Sequence, residues 1–225
     1  MKKIISLIIA ASLFSGFAFA KTYKGDIQLN FGGSGDIINV NKDSFDSKIQ
    51  SGMFEFDIQT WHLFGINDVF SVGFMAGINS GIGATTKMET EGVDIEDVYP
   101  NLEHALALHY NFLIGPAVGF DLGKVVRFNL AAGFDWGLNF ASVKYKDDES
   151  ELKVSYFVPA GIGTEVQAKF LPKAKVSPVV TYRLTADFTD RAYSYDSKEN
   201  EHDDTKVDSA SILNNAFTVG ISFNW

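Results

Sequence analysis

Apolar residues recur at every second position along most of this chain, which is the period of a β-strand whose two faces meet different surroundings. Eight segments carry the pattern: 23–31, 52–64, 69–79, 102–120, 126–140, 154–170, 176–188 and 217–225. In the fifth, Val126, Phe128, Leu130, Ala132, Phe134, Trp136, Leu138 and Phe140 share one face, against Arg127, Asn129, Gly133, Asp135, Gly137 and Asn139. In the second, Phe54, Phe56, Ile58 and Phe64 oppose Glu55, Asp57 and Gln59. The fourth segment keeps one parity from Leu102 through Gly115-Pro116 to Phe120, which predicts one bent strand rather than two strands and a turn. Segments 154–170 and 176–188 each read as one continuous strand.

The connections alternate in kind. Residues 65–68, 121–124 and 171–175 are short and carry Gly, Asn, Asp or Pro, the residues of tight turns. Residues 32–51, 80–101, 141–153 and 189–215 are long and polar. In an antiparallel meander every short turn then lies at one end and every long loop at the other. An even strand number puts both termini at the short-turn end.

The first twenty residues stand apart. Lys2 and Lys3 precede an almost wholly apolar stretch from Ile4 to Phe14, and Ala18-Phe19-Ala20 fits a small-x-small cleavage site. This is the pattern of a secretory signal peptide, cleaved after Ala20. The apolar run is too short for a helix spanning about 30 Å of hydrocarbon. Cleavage leaves 225 − 20 = 205 residues, 21–225, expected to form one domain. The chain has no cysteine, so disulfides do not hold it. After cleavage it carries 17 Lys and Arg against 28 Asp and Glu, a net charge of −11. Such a charge argues against nucleic acid as a partner.

The alternation fits a soluble barrel with its apolar face inward or a membrane barrel with that face outward. Size separates them. Eight strands enclose room for filling side chains or one small ligand. The apolar face is crowded with Phe, Leu, Trp and Tyr, while the polar face is thinned by Gly73, Gly77, Gly133, Gly137, Gly161 and Gly163. Bulk outside and small residues inside is the arrangement that closes, and it exposes an apolar band that suits lipid. The expected fold is all-β: an eight-stranded antiparallel up-and-down transmembrane β-barrel with short periplasmic turns and long extracellular loops.

The last segment alternates without a fault: Phe217, Val219, Ile221, Phe223 and Trp225 face one way, Thr218, Gly220, Ser222 and Asn224 the other. With the signal peptide, the strand number and the loop alternation, this ending resembles the small eight-stranded bacterial outer-membrane barrels of the OmpA, OmpX and OmpW kind. The resemblance implies an outer-membrane location, contact with outer-membrane lipid, and a C-terminal strand read by the barrel-assembly machinery. It implies no periplasmic peptidoglycan-binding domain, since the chain stops at the last strand.

On this reading the lumen receives Asp26, Glu55, Asp57, Arg127, Asp135, Glu165, Lys169, Arg183 and Asp187. Buried charges must be paired, so these are expected to form an internal network in which the three cations meet the carboxylates. Open aqueous channels need about sixteen strands, so a plugged lumen is expected over a gated path. His62 and His109 have no neighbouring ligand pattern, His202 falls in an acidic outer loop, and His104 has the outward parity. No metal, cofactor or catalytic constellation is expected, and no enzyme. The acidic runs ETEGVDIED, KDDESELK and DSKENEHDDTK read as solvated loop tips, free to meet an unknown extracellular ligand. A narrow channel or transporter of small or apolar solutes is the competing function, and a lipid-modifying enzyme a third.

Overall fold

The computed structural model describes residues 22–42, 45–146, 152–197 and 201–225. Residues 1–20, where the signal peptide is expected, lie outside these, as do parts of the acidic runs KDDESELK and DSKENEHDDTK. The strands are β1 (Thr22–Lys42), β2 (Phe45–Gly65), β3 (Phe70–Thr90), β4 (Val93–Asp94), β5 (Leu102–Leu122), β6 (Val126–Tyr145), β7 (Leu152–Phe157), β8 (Ala160–Phe170), β9 (Val176–Asp196) and β10 (Glu201–Asn224). A single helical turn, α1 (Ile95–Val98), follows β4 and is capped by the Asp94 side chain. Every pairing is antiparallel, β4 is a short branch on β3, which pairs on with β5, and β10 pairs with both β9 and β1, closing the ring. β7 and β8 occupy one place in it, both lying between β6 and β9, so the barrel has eight staves.

The alternation sets which way the wall faces. Outward positions are apolar and exposed, as at Phe54 (56%), Phe134 (53%), Ile162 (67%) and Phe188 (60%). Inward positions on the same strands are buried: Glu55, Asp135, Glu165 and Thr185 are 0% exposed. No Asp, Glu, Lys or Arg stands on the outward face of β6 from Val126 to Phe140, nor of β3 from Phe70 to Ala84. Rings gather at both edges of this band. Tyr23, His62, Phe64, Phe74 and Trp225 cluster near the short turns, and Phe140, Tyr156 and Tyr193 stack nearer the outer end. An apolar band about 25 Å tall between aromatic girdles is the surface a bilayer requires.

The staves are longer than the sequence pattern suggests. β1, β2, β3, β5 and β9 each run 21 residues, which is about 70 Å of strand. At a tilt of about 40° that rises roughly 50 Å, about twice the apolar band. Much of what alternation alone assigns to four long loops is paired strand that carries the wall beyond the band. In β1, pairing continues through Gly32, Gly33 and Gly35 to Lys42.

Local breaks interrupt the strand pattern. A bulge between His104 and Ala107 flips the parity of β5, so Leu102 is buried inside rather than sharing the outward face of Phe120. The segment 154–170 is two strands, because its ladder to β9 jumps from Tyr156↔Tyr193 to Ala160↔Phe188. Pro159 sits in this break; it has no N–H to give, though its carbonyl accepts from the Gly137 amide at 3.1 Å. β10 bulges against β9 between Lys206 and Ala210.

The inner face is also less uniformly small and polar than the pattern predicts. Trp61, Leu63, Met75, Leu113, Ala117 and Ala131 form a buried apolar cluster inside the barrel. Glycines on other staves make the room. A Cβ at Gly119 would lie 2.8 Å from the Leu63 Cδ1, and one at Gly163 would lie 2.8 Å from the Leu113 Cδ1. A second cluster, around Ile38, Ile49, Met88, Leu102, Phe157 and Ile212, fills the lumen toward the outer end.

Candidate functional site

Alternation brings all nine charged residues expected in the lumen to the inner face. Asp26, Glu55, Asp57, Asp135, Glu165, Lys169, Arg183 and Asp187 are at most 2% exposed, and Arg127 is 6% exposed. They form separate clamps at different heights rather than one network. Arg183 is held between two staves: its Nε and Nη2 lie 3.0 and 2.9 Å from Glu165 Oε2 on the neighbouring β8. Its Nη1 reaches across the lumen to Asp57 on β2 at 3.6 Å. Gln59 donates to Asp57 at 3.3 Å. Such charges are retained in a buried site only when their partners are in place.

Nearer the short turns, Lys169 pairs with Asp26 and donates to Asn224 at 3.0 Å. Gln28 and Gln167 bridge β1 and β8 across the lumen, donating to each other at 3.2 and 2.6 Å. Asn129 adds a second donor to the Gln167 Oε1 at 2.8 Å. Arg127 does not meet any carboxylate of the expected set. It donates to Asp121 at 2.7 and 3.3 Å, and Lys24 joins the same carboxylate at 2.5 Å. The alternation assigns Asp121 to a tight turn; the structure makes it a paired residue of β5.

Two further residues escape the sequence reading. His109 is buried, its Nδ1 3.1 Å from Asp36 and its Nε2 3.0 Å from Glu55. Asn139 and Asn214 also donate to Asp36, at 3.1 and 2.5 Å. Gly81 makes this clamp possible, since a Cβ there would lie 2.8 Å from the His109 ring and 3.0 Å from Glu55. A ligand search along the sequence finds nothing near His109 because its partners are 73 and 54 residues away. The available signal was parity: His109 shares the inward register of Asn111, and Asp36 that of Asp26 once β1 is extended through its glycines.

Asp135 and Asp187 come together differently. Asp135 pairs in register with Gly161, and Gly161 with Asp187, so the two carboxylates flank a residue with no side chain. Thr185 donates to Asp187 at 3.3 Å. Among the described residues neither carboxylate lies within ion-pair distance of a cation.

The remaining histidines sit elsewhere. His104, past the β5 bulge, is 17% exposed and faces Asp94 at 3.4 Å and Glu96 at 3.8 Å, not lipid. His62 is on the outer wall with the Tyr23 hydroxyl on its Nδ1. His202 stacks on Tyr195, with ring centroids 4.4 Å apart. Among the described residues no group of three His, Asp or Glu is disposed to hold a metal ion.

The two ends of the wall differ. At the short-turn end, Trp225 closes the ring, its amide donating to the Gly25 carbonyl at 3.1 Å. Phe217, Val219, Ile221, Phe223 and Trp225 all face outward, 39–59% exposed. At the outer end the wall carries surface ion pairs. Lys144, 2.8 Å from Glu103, holds that carboxyl below its ordinary range. Arg191 meets Asp204 at 3.0 Å.

No protein-family profile and no curated protein sequence matches this chain. Solved structures do. A major outer membrane protein from Thermus thermophilus superposes with a TM-score of 0.52 at 9% identity, over 91% of this chain and 100% of that one. The outer membrane protein OprG from Pseudomonas aeruginosa gives 0.52 at 7% identity, over 90% and 95%. At such identities the likeness carries fold alone, and the closed ring, the apolar belt and the filled interior agree with it: the chain has the fold of the small eight-stranded bacterial outer-membrane β-barrels.

Proposed function

We propose that this protein is a closed outer-membrane barrel whose role is structural and interactive. Its signal peptide, residues 1–20, directs export and is cleaved, and its C-terminal strand, ending Phe217-x-Val219-x-Ile221-x-Phe223-x-Trp225, is read by the assembly machinery. Lipid is its solvent, and no nucleic acid or cofactor takes part. The raised outer wall, acidic as the chain is as a whole, is the part offered to an extracellular partner. No enzymatic step is assigned to it.

The observation that carries this reading is the lumen at mid-height. Arg183, His109 and the carboxylates that clamp them are at most 3% exposed and tie β1, β2, β5, β8 and β9 to one another across the barrel. A solute would have to break these clamps, and a buried pair that loses one partner typically costs about 3–5 kcal/mol. Reconstitution in planar lipid bilayers tests the reading: it predicts a silent membrane at moderate voltage. Discrete, reproducible conductance steps would replace it with the channel.

A further inference from the structure

The lumen at mid-height holds more carboxyl groups than its cations meet. Asp36, Glu55, Asp57, Asp135, Glu165 and Asp187 lie buried there with Arg183 and His109. Arg183 is taken by Glu165 and Asp57, and His109 by Asp36 and Glu55. Asp135 and Asp187 are left with neither, although their carboxyl groups come within hydrogen-bond reach of each other. Two facing buried carboxyls need something positive between them.

Two glycines shape the surroundings of Asp135. Gly161 is its register partner on β8, and a Cβ there would lie 2.6 Å from Asp187 Oδ1, so the Asp187 carboxylate leans over the glycine. Gly137 is the next inward residue of β6, and Asn111 Oδ1, from β5, occupies the place its side chain would take. Oxygens thus gather beside Asp135 in both spaces that the glycines open. Among the described residues, neither oxygen of Asp135, nor Asp187 Oδ1, nor Asn111 Oδ1 accepts a hydrogen bond. All three residues are at most 1% exposed. The Thr185 hydroxyl is directed to the other Asp187 oxygen, at 3.3 Å.

A water would fill this space without supplying charge, and a shared proton would join only two of the four oxygens. A cation supplies charge and meets several oxygens at once. Carboxylate and amide oxygens in an irregular arrangement suit calcium, whose coordination is flexible; magnesium demands a near-ideal octahedron and keeps its waters. Ile212, the register partner of Asp187, belongs to the outer apolar cluster, which covers the site toward the cell exterior. We propose that Asp135, Asp187 and Asn111 hold one calcium-type divalent cation, taken up as the barrel closes, which ties β5, β6 and β9 together inside the lumen. The site rests on the filled lumen described above and adds a positive charge that the clamps do not supply.

Because these strands meet only in the closed barrel, binding here is also folding energy. The full mature chain is refolded into detergent micelles in sodium chloride with calcium chloride, magnesium chloride or EDTA, then desalted into metal-free buffer. Bound metal and the urea unfolding midpoint are measured on each sample. Calcium-refolded protein should retain about one calcium per chain and unfold at higher urea than EDTA-refolded protein. Magnesium-refolded protein should retain little and unfold like the EDTA sample. Asp135→Asn and Asp187→Asn should each lose both the retained calcium and the calcium-dependent shift. Both should fold in EDTA at least as well as wild type, since each removes one of two facing negative charges. Asn111→Ala should lose part of the retained calcium, and Asp203→Asn, on the outer wall, none. The proposal is overturned if no calcium is retained, if magnesium is retained equally well, or if the Asp135 and Asp187 variants keep calcium as wild type does, which would place the ion on the acidic outer wall. No retained calcium with a silent bilayer would sink the cation site alone and leave the closed barrel standing.

Discussion

At the scale of single residues, two arginines that look alike in sequence have different surroundings. Arg183 has two carboxylate partners, Glu165 and Asp57, and both are left without their cation if it is removed. Arg127 shares Asp121 with Lys24, which still holds that carboxylate at 2.5 Å when the arginine is gone. Water in the lumen should soften both losses. Arg183→Ala is therefore expected to cost about 2–3 kcal/mol and Arg127→Ala about 1 kcal/mol, read as urea unfolding free energies of the refolded barrel. His109→Phe removes the group between Asp36 and Glu55 and should cost as much as Arg183→Ala; an effect below that of Arg127→Ala would mean the histidine clamp is not formed in solution. Alternation sufficed to place Arg127 and Arg183 inside. It could not pair them, because a partner across a barrel is fixed by stagger and closure, which no local pattern carries.

At the scale of strands, period and chain order were legible, but strand ends and irregularities were not. Pairing along β1 passes through Gly32-Gly33-Ser34-Gly35, where there are few side chains to alternate, so the pattern fades while the ladder continues to Lys42. The bulge at His104–Ala107 leaves no mark in composition, yet it moves Leu102 and His104 from the outer face to the inner. Pro159 was a visible warning, since a proline inside a strand removes a ladder donor, and the ladder to β9 does break beside it. Only the last part of the closing strand was legible: β10 begins at Glu201, within what the pattern reads as a long polar loop. Trp225 follows its last residue, and the amide that completes the β1–β10 seam belongs to it. Deleting Trp225 should lower the heat-modifiable, folded fraction recovered in outer membranes several-fold, while Phe217→Leu should leave it near wild type. Equal recovery of the Trp225 deletion would remove the aromatic end from the assembly signal.

At the scale of the whole molecule, an apolar exterior and a charged interior are two consequences of one inversion, with lipid outside and a narrow polar lumen within. The exterior could be read from crowding alone: Phe and Leu on one face, glycine on the other. The apolar layers inside could not, because Trp61 and Leu113 follow the inward parity but break its chemistry, and only the glycines of other staves show why they fit. Export makes its own prediction. The mature protein should begin at Lys21 and fractionate with the outer membrane; a different N-terminus would move the cleavage site, and recovery in the soluble periplasm would contradict the membrane barrel.

The inversion itself is tested most directly by comparing the two faces in one assay, the unfolding free energy of the barrel in lipid vesicles. Leu184 is outward, and Arg183 beside it is inward at mid-height. An arginine at a lipid-facing midplane position costs about 2–4 kcal/mol. Leu184→Arg should lose an amount in that range and Leu184→Phe little, whereas at Arg183 the loss should come from removing the charge. If Leu184→Arg unfolds with the wild-type free energy while Arg183→Ala and Arg127→Ala do so too, the faces are assigned the wrong way round and the apolar side does not meet lipid.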